Sequence, residues 1–110
     1  MMLAPILGST ETEKVLAFIT ARGDGYPYQI AKFYGSNLRG IQKQLERLEH
    51  GGVLASRKVG RTRVYAYNPR YPYKNELAAL VKKAISMYPK KKSEALIVRR
   101  ERPRRAGKPL

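Results

Sequence analysis

Cysteine is absent from this 110-residue sequence, and histidine occurs once, as His50. Disulfide bridges, thiolate zinc sites and cysteine nucleophiles are therefore excluded, and a multi-histidine metal site lacks its ligands. Acidic residues are also scarce, since 8 Asp and Glu stand against 23 Lys and Arg, a formal net charge of +15. This imbalance favours a polyanionic partner, with nucleic acid as the first candidate and an anionic membrane surface as the second.

Long apolar runs are missing as well. No stretch approaches the roughly 18 consecutive apolar residues that a membrane-spanning helix needs, and residues 1–7 are too short for a secretory signal with a basic flank. The sequence therefore predicts a cytoplasmic protein with no membrane partner, associated with the nucleoid if its polyanion is DNA. At 110 residues the chain fits one domain.

The residues that catalysis needs are few and scattered. Glu46, Glu49 and Glu76 fall on predicted helix surfaces beside basic residues, and no serine and histidine form a triad-like arrangement. A glycine-rich phosphate loop is also missing. We therefore expect no enzymatic activity and no cofactor.

Two predicted helices occupy the first third of the chain. The first covers residues 10–22, and Ser9 or Thr10 can cap its N-terminus. The second covers residues 28–34, with Pro27 able to serve as its first residue because the missing N–H costs nothing there. Together they supply part of a small helical core.

A third helix follows after a tight turn. Gly35 offers the positive φ that such a turn often requires, and Gly51 and Gly52 end the helix predicted over residues 38–50. Its spacing gives one apolar stripe, made by Leu38, Ile41, Leu45 and Leu48. His50, near its C-terminal end, favours the helix dipole rather than a metal.

Two strands and a fourth helix complete the regular pattern. β-branched and aromatic residues predict strands over residues 53–59 and 62–67, separated by a tip of Gly60 and Arg61. A fourth helix is predicted over residues 74–88. Two helices joined by a tight turn and followed by a basic hairpin outline a winged helix-turn-helix. The predicted fold class is α+β, mainly α, with a three-helix core, a two-stranded wing and an additional C-terminal helix.

The chain beyond residue 89 has a different composition. Residues 90–110 contain nine Lys and Arg against two Glu, so this segment alone carries +7. We therefore divide the chain into a domain over residues 1–89 and a basic tail over residues 90–110. The tail is either a disordered solubilising extension or a segment that binds a partner, and its apolar residues 95–98 suit an edge strand or a docking turn.

The third helix carries the residues best suited to reading DNA. Arg39, Lys43 and Arg47 follow one another at spacings of four, where like charges repel by about 0.2 to 0.5 kcal/mol per pair, and a polyanion would reverse that sign. In a helix-turn-helix this face enters the major groove. The candidate DNA-binding residues of this helix and its turn are Ser36, Asn37, Arg39, Gly40, Lys43, Gln44 and Arg47.

Gly40 and the cations of this helix also have structural explanations that do not involve DNA. Gly40 either lets the backbone approach DNA closely or packs tightly against the second helix. The cations either face DNA or form an ordinary solvated surface, partly neutralised by Glu46 and Glu49.

The hairpin is basic and contains no acid. Its uncompensated charge suits the phosphate backbone or the minor groove, where contacts set affinity but carry little sequence information. Tyr65 and Tyr67 suit packing of the second strand better than base stacking. The candidate DNA-binding residues of the wing are Arg57, Lys58, Arg61, Thr62 and Arg63.

The sequence resembles the winged helix-turn-helix transcriptional regulators, in particular the group that includes the ArsR-like and MarR-like repressors. The resemblance covers residues 11–88 and is most specific over residues 36–54, where Leu45, Leu48, Gly51 and Leu54 have the family's spacing. Metal-sensing members use cysteine or histidine ligands, so a metal response is not expected here.

The resemblance also implies a homodimer that binds double-stranded DNA at a pseudo-palindromic site. It assigns the dimer interface to the first helix and to one stripe of the fourth, for which plain intradomain core is the alternative. The residues of that stripe are Leu77, Leu80, Val81, Ile85 and Tyr88.

We therefore predict a sequence-specific, double-stranded DNA-binding transcriptional regulator whose third helix reads the major groove while its wing grips phosphates and its tail adds non-specific affinity. Two alternatives remain open. One is an architectural protein that coats nucleic acid without sequence preference. The other is a winged-helix adaptor for a protein partner, in which residues 95–98 add a strand to the partner's sheet.

Overall fold

The computed structural model describes residues 1–97, which form six helices and one antiparallel hairpin. None of these helices is both long and apolar enough to cross a membrane. In chain order the elements are α1 Ala4–Leu7, α2 Thr10–Arg22, α3 Pro27–Tyr34, α4 Leu38–His50, β1 Leu54–Val59, β2 Thr62–Tyr67, α5 Lys74–Ser86 and α6 Lys90–Ile97.

Helix α2 is the centre of the fold. Its N-cap is Ser9, whose hydroxyl accepts a hydrogen bond of 3.1 Å from the backbone N–H of Thr12. It contacts the other five helices and strand β2. The helix is enclosed by its own chain over five consecutive buried residues, Val15, Leu16, Ala17, Phe18 and Ile19. These five residues belong to the core of the single chain, and the dimer role expected for this helix stays a prediction.

Helices α3 and α4 form the predicted helix-turn-helix. Gly35 lies between them with φ of +63°, which explains the glycine. The side chain of Asn37 caps α4 by accepting a hydrogen bond of 3.2 Å from the N–H of Gly40. Ile41, Leu45 and Leu48 are buried in the core as predicted. Leu38 is 40% exposed instead, because this first residue of α4 lies towards the wing side of the helix.

The wing is a regular two-stranded hairpin that also forms one isolated bridge to a residue outside it. Leu54 pairs with Tyr67 and Val59 with Thr62, around a tip at Gly60 with φ of +63°. Gly25 forms an isolated bridge to the buried Tyr65, through N–H to carbonyl bonds of 2.8 and 3.0 Å. The wing is thereby attached to the loop between α2 and α3.

Helix α5 packs against α2, and most of its apolar stripe faces inwards. Val81, Ile85 and Tyr88 are buried in the core of the single chain, and Leu77 packs against that core. The burial of Val81, Ile85 and Tyr88 favours the alternative of intradomain core, and the dimer role expected for them stays a prediction. Leu80 is 40% exposed. The helix also ends at Ser86, two residues earlier than predicted.

Helices α1 and α6 were not predicted. Residues 95–97 belong to α6, so the expected edge strand is wrong over these residues, which dock on the domain as part of a helix. Leu96 is fully buried, and Arg22 donates from Nε to its carbonyl at 2.9 Å and from Nη2 to that of Ala95 at 3.0 Å. The first part of the predicted basic tail therefore packs onto the domain. Residues 98–110 lie outside the described residues.

A buried carboxylate joins the two ends of the fold. Glu13 is fully buried, and its Oε1 accepts a hydrogen bond of 2.8 Å from the backbone N–H of Leu3. Its Oε2 accepts one of 2.6 Å from the hydroxyl of Tyr88. Because a buried carboxylate must be hydrogen-bonded to be tolerated, this pair of donors fixes α1 and the end of α5 against α2.

Candidate nucleic-acid interface

One side of α4 is open to solvent and basic. Arg39 and Lys43 are exposed there, and within residues 1–97 neither forms an ion pair. They share a shallow cleft of about 380 Å³ with Gln42 and Glu46. This surface offers guanidinium and ammonium donors, an amide and one carboxylate, which are the groups that read base edges in a major groove.

Another flank of α4 contacts the first turn of α2, although Arg47 on this flank is exposed. The hydroxyl of Thr12 donates to Oε1 of Gln44 at 3.0 Å, and Nη2 of Arg47 donates back to that hydroxyl at 3.1 Å. Nε of Arg47 also donates to Oε1 of Gln44 at 2.9 Å. This network fixes the rotation of α4 about its axis, so Gln44 and Arg47 already have partners within the protein.

The turn before α4 has its own internal contacts. Nζ of Lys14 donates a hydrogen bond of 2.8 Å to the hydroxyl of Ser36 and also pairs with Glu11 at 3.4 Å. Asn37 uses its side chain as the helix cap. DNA binding by Ser36, Asn37, Gln44 and Arg47 stays a prediction, while their structural contacts are clear.

Gly40 is not explained by packing against α3. A methyl group at this position would meet only Cγ of Glu11, at 3.8 Å, an ordinary van der Waals distance. The alternative of tight packing against the second predicted helix is therefore wrong. Space for a side chain therefore remains at this position, and close approach of DNA to Gly40 stays a prediction.

Within residues 1–97, the cations of the wing differ in whether they form an ion pair. Lys58 and Arg61 are exposed near its tip and form no ion pair within residues 1–97. Arg57 instead lies 3.5 Å from Asp24 in the loop before α3. The expectation of a wholly uncompensated ribbon is wrong at this position, because the neutralising acid comes from outside the hairpin.

A hydrogen-bonded chain joins the wing to α4. Nη1 of Arg63 donates to the hydroxyl of Ser56 at 3.0 Å, and that hydroxyl donates to Oε2 of Glu49 at 2.6 Å. Burial raises the pKa of Tyr65, and the negative charges of Glu49 and Glu46 raise it further. The hydrogen bonds therefore connect both strands of the hairpin to Glu49 of α4.

The open side of α4 and the wing face each other across one cleft of about 500 Å³. Its lining combines predicted residues of the wing with residues that were not predicted for the site, among them Gln42 and Tyr28. Gln42 lies one turn after Arg39, so helical spacing alone could have identified it. Among the residues that line this cleft are Leu38, Gln42, Glu46, Arg61, Thr62 and Arg63.

A second cleft lies between α3 and α6, with a volume of about 760 Å³. Arg22 lies at its base, 4.7 Å from the ring centroid of Phe18 and 5.2 Å from that of Phe33. Lys32 and Lys91 line its rim. No sequence pattern predicted this cleft, because α6 itself was not predicted.

Comparison with known proteins identifies the architecture. No family model and no curated protein sequence matches the chain. The solved structure of YusO from Bacillus subtilis has a TM-score of 0.58 and 18% identity, covering 84% of this chain and 72% of that chain. An apo double mutant of ZitR from Lactococcus lactis has a TM-score of 0.54 and 18% identity, covering 87% and 80%. This chain has the winged helix-turn-helix fold. The predicted fold class, mainly helical with a two-stranded wing, is confirmed.

Proposed function

We propose that the protein is a sequence-specific, double-stranded DNA-binding transcriptional regulator of the ArsR-like or MarR-like group, acting in the cytoplasm at the nucleoid. Helix α4 enters the major groove, and the wing lies on the flanking phosphates. The single observation that carries the proposal is the cleft that the exposed side of α4 shares with the wing.

The charge of α4 supports a role in base recognition. Arg39 and Lys43 project from the first two turns of the helix, the part that reaches base edges when a helix-turn-helix docks. Both can donate to O6 and N7 of guanine, and the neighbouring Gln42 can contact N6 and N7 of adenine. The contacts of Gln44 and Arg47 with Thr12 hold the helix in the rotation that presents this side.

The exposed cations of the wing support a contribution to DNA affinity rather than to sequence preference. Lys58 and Arg61 are exposed near the tip, and Thr62 adds a hydroxyl in the same cleft. Each phosphate that such a cation neutralises releases a condensed counterion, so binding by the wing weakens as salt rises. The hydrogen bond from Arg63 to Ser56 orients the Arg63 guanidinium relative to α4.

A homodimer fits this proposal, because two copies would present two α4 helices to successive major grooves. The residues available for contact differ from those first predicted. On α5 the exposed Leu80 remains, and Ile6 of α1 and Met87 after α5 are also exposed apolar residues. Sedimentation equilibrium tests this part separately, and a monomer at micromolar concentration would contradict it.

Selection of bound sequences from a random duplex pool at about 150 mM salt tests the proposal. At this ionic strength purely electrostatic binding is much weakened. We expect enrichment of a motif with two half-sites about ten base pairs apart. Retention of duplexes without any enriched motif would contradict sequence-specific binding.

Architectural nucleic-acid binding is the second candidate function, and one observation favours it. Lys90, Lys91 and Lys92 are all exposed in the first turn of α6. Such a cluster binds phosphates without reading bases. Equal affinity for unrelated duplexes would support this candidate. The adaptor alternative loses its main support, because residues 95–97 are helical and offer no strand to a partner.

A further inference from the structure

The open side of α4, which the proposed function places against DNA, carries an acidic residue among its basic ones. Glu46 is exposed and lies in the same cleft as Arg39, Gln42 and Lys43. It also lines the cleft that α4 shares with the wing, close to Arg61. A docked duplex would therefore meet this carboxylate together with the base-reading side chains.

Glu46 differs from the neighbouring acids because it has no partner. Within residues 1–97 its carboxylate forms no ion pair and accepts no side-chain hydrogen bond. Glu49, one turn later, accepts a hydrogen bond from Ser56, and Glu11 pairs with Lys14. The structure therefore gives Glu46 no stabilising task of its own.

The electrostatic effect of Glu46 on binding to phosphates is unfavourable. A carboxylate repels a polyanion and lowers the affinity for every duplex, whatever its sequence. An ionised carboxylate can only accept hydrogen bonds, and the donor that a glutamate recognises in the major groove is the N4 amino group of cytosine. A contact of that kind offsets the repulsion only at the correct base pair.

We infer that Glu46 is a specificity-determining residue that accepts a hydrogen bond from cytosine N4 while Arg39 and Lys43 contact neighbouring bases. The inference rests on the proposed function and deepens it. Glu46 reduces binding to non-cognate DNA through its charge and restores affinity at one cytosine position. Discrimination in this protein is thus partly achieved by repulsion, in addition to attractive contacts.

The substitution Glu46→Gln tests the inference, since it keeps the shape of the side chain but removes its charge. We expect affinity for random duplexes to rise by about two- to fivefold at low salt. Preference for cytosine at one motif position should fall by about five- to a hundredfold, because the neutral amide oxygen is a weaker acceptor and the added NH2 group can donate to adenine instead. Glu76→Gln, on the exposed first turn of α5, makes the same change in net charge away from α4 and is the matched control.

The experiment combines sequence selection from random pools with affinity measurement on a scrambled duplex, for the full chain and both variants. Loss of one cytosine preference in Glu46→Gln alone supports the inference. A wild-type motif that Glu46→Gln leaves unchanged overturns the inference but not the proposed function. Absence of any motif with the wild-type chain overturns both.

Discussion

The hydroxyl of Tyr88 donates a hydrogen bond of 2.6 Å to Glu13, a residue 75 positions earlier in the chain. The second carboxylate oxygen of Glu13 accepts from the backbone of Leu3, so one buried acid joins α1, α2 and the segment after α5. These two hydrogen bonds hold α1 and the segment after α5 against α2, the central helix of the fold. They bring Leu3 and Tyr88 to the same side chain of the central helix.

Tyr88→Phe should destabilise the protein by about 1 to 3 kcal/mol, because it leaves a buried carboxylate oxygen without its donor. Chemical denaturation followed by circular dichroism measures the change. Tyr67→Phe is the matched control, since that hydroxyl pairs with the neutral side chain of Thr20 at 2.8 Å. It should cost less, about 0.5 to 1.5 kcal/mol. Equal losses in the two variants would contradict a special role for Glu13.

Stability should fall steeply in alkaline solution. Burial raises the pKa of Tyr88, as does its hydrogen bond to Glu13, and burial together with the charge of Glu13 raises the pKa of Tyr34. Above the ordinary tyrosine pKa of about 10 the unfolded chain loses these protons while the folded chain keeps them. The stabilisation is complete below that pH and is lost as pH rises, by up to about 1.4 kcal/mol per unit for each group.

The measurement is the free energy of unfolding between pH 9 and 11 for the wild-type chain and for Tyr88→Phe. Because the variant lacks one of the tyrosines with a raised pKa, its stability should decline less steeply with pH. Parallel curves would show that Tyr88 does not contribute to the alkaline loss.

Gly25→Ala should destabilise the fold by about 1 to 3 kcal/mol through overpacking. A methyl group there would lie 3.0 Å from the ring of Phe18 and 3.1 Å from Cδ1 of Ile30, both fully buried. Relief would require moving the bridge to Tyr65 and with it the wing. Gly51→Ala is the control, because the added methyl group would approach no atom closer than 3.5 Å. A thermal melt of both variants distinguishes the two sites.

Gly40→Ala should separate folding from binding. In the interior of α4 the change should stabilise the protein by up to about 1 kcal/mol, since alanine is the better helix former. The methyl group has room within the free protein. If DNA approaches the backbone at this residue, affinity should fall tenfold or more while the melting temperature rises. Unchanged affinity in the stabilised variant would show that the glycine is not part of the interface.

Much of the fold could be predicted because its signals are local. The stripe of Ile41, Leu45 and Leu48, the positive φ at Gly35 and the hairpin tip at Gly60 follow from short-range sequence patterns. Helix α4 has the predicted bounds of residues 38–50, and strand β1 differs from prediction by one residue.

Elements that depend on distant contacts were missed. Helix α1 has four residues and α6 has eight, too short to be stable from their own propensity. Helix α6 is held by the buried Leu96 and by donation from Arg22, which lies more than seventy residues away. Such pairings leave no periodic signal in the sequence.

The candidate site could be predicted only in part for the same reason. A helical wheel shows which side of α4 is polar, but not which neighbour covers that side. The structure places the first turn of α2 over Gln44 and leaves Lys43 and Gln42 open. It also supplies Asp24 as a partner for Arg57 from outside the hairpin.

The central claim is that α4 reads bases while the wing binds phosphates, and paired affinities on two duplexes test it most directly. Lys43→Ala and Arg61→Ala are compared with the wild-type chain on the selected duplex and on a scrambled one, across a range of salt. We expect Lys43→Ala to cost about 1 to 3 kcal/mol on the selected duplex and much less on the scrambled one. Arg61→Ala should weaken both equally and reduce the salt slope by about one unit. Equal losses on both duplexes for both variants would contradict the division of roles between α4 and the wing.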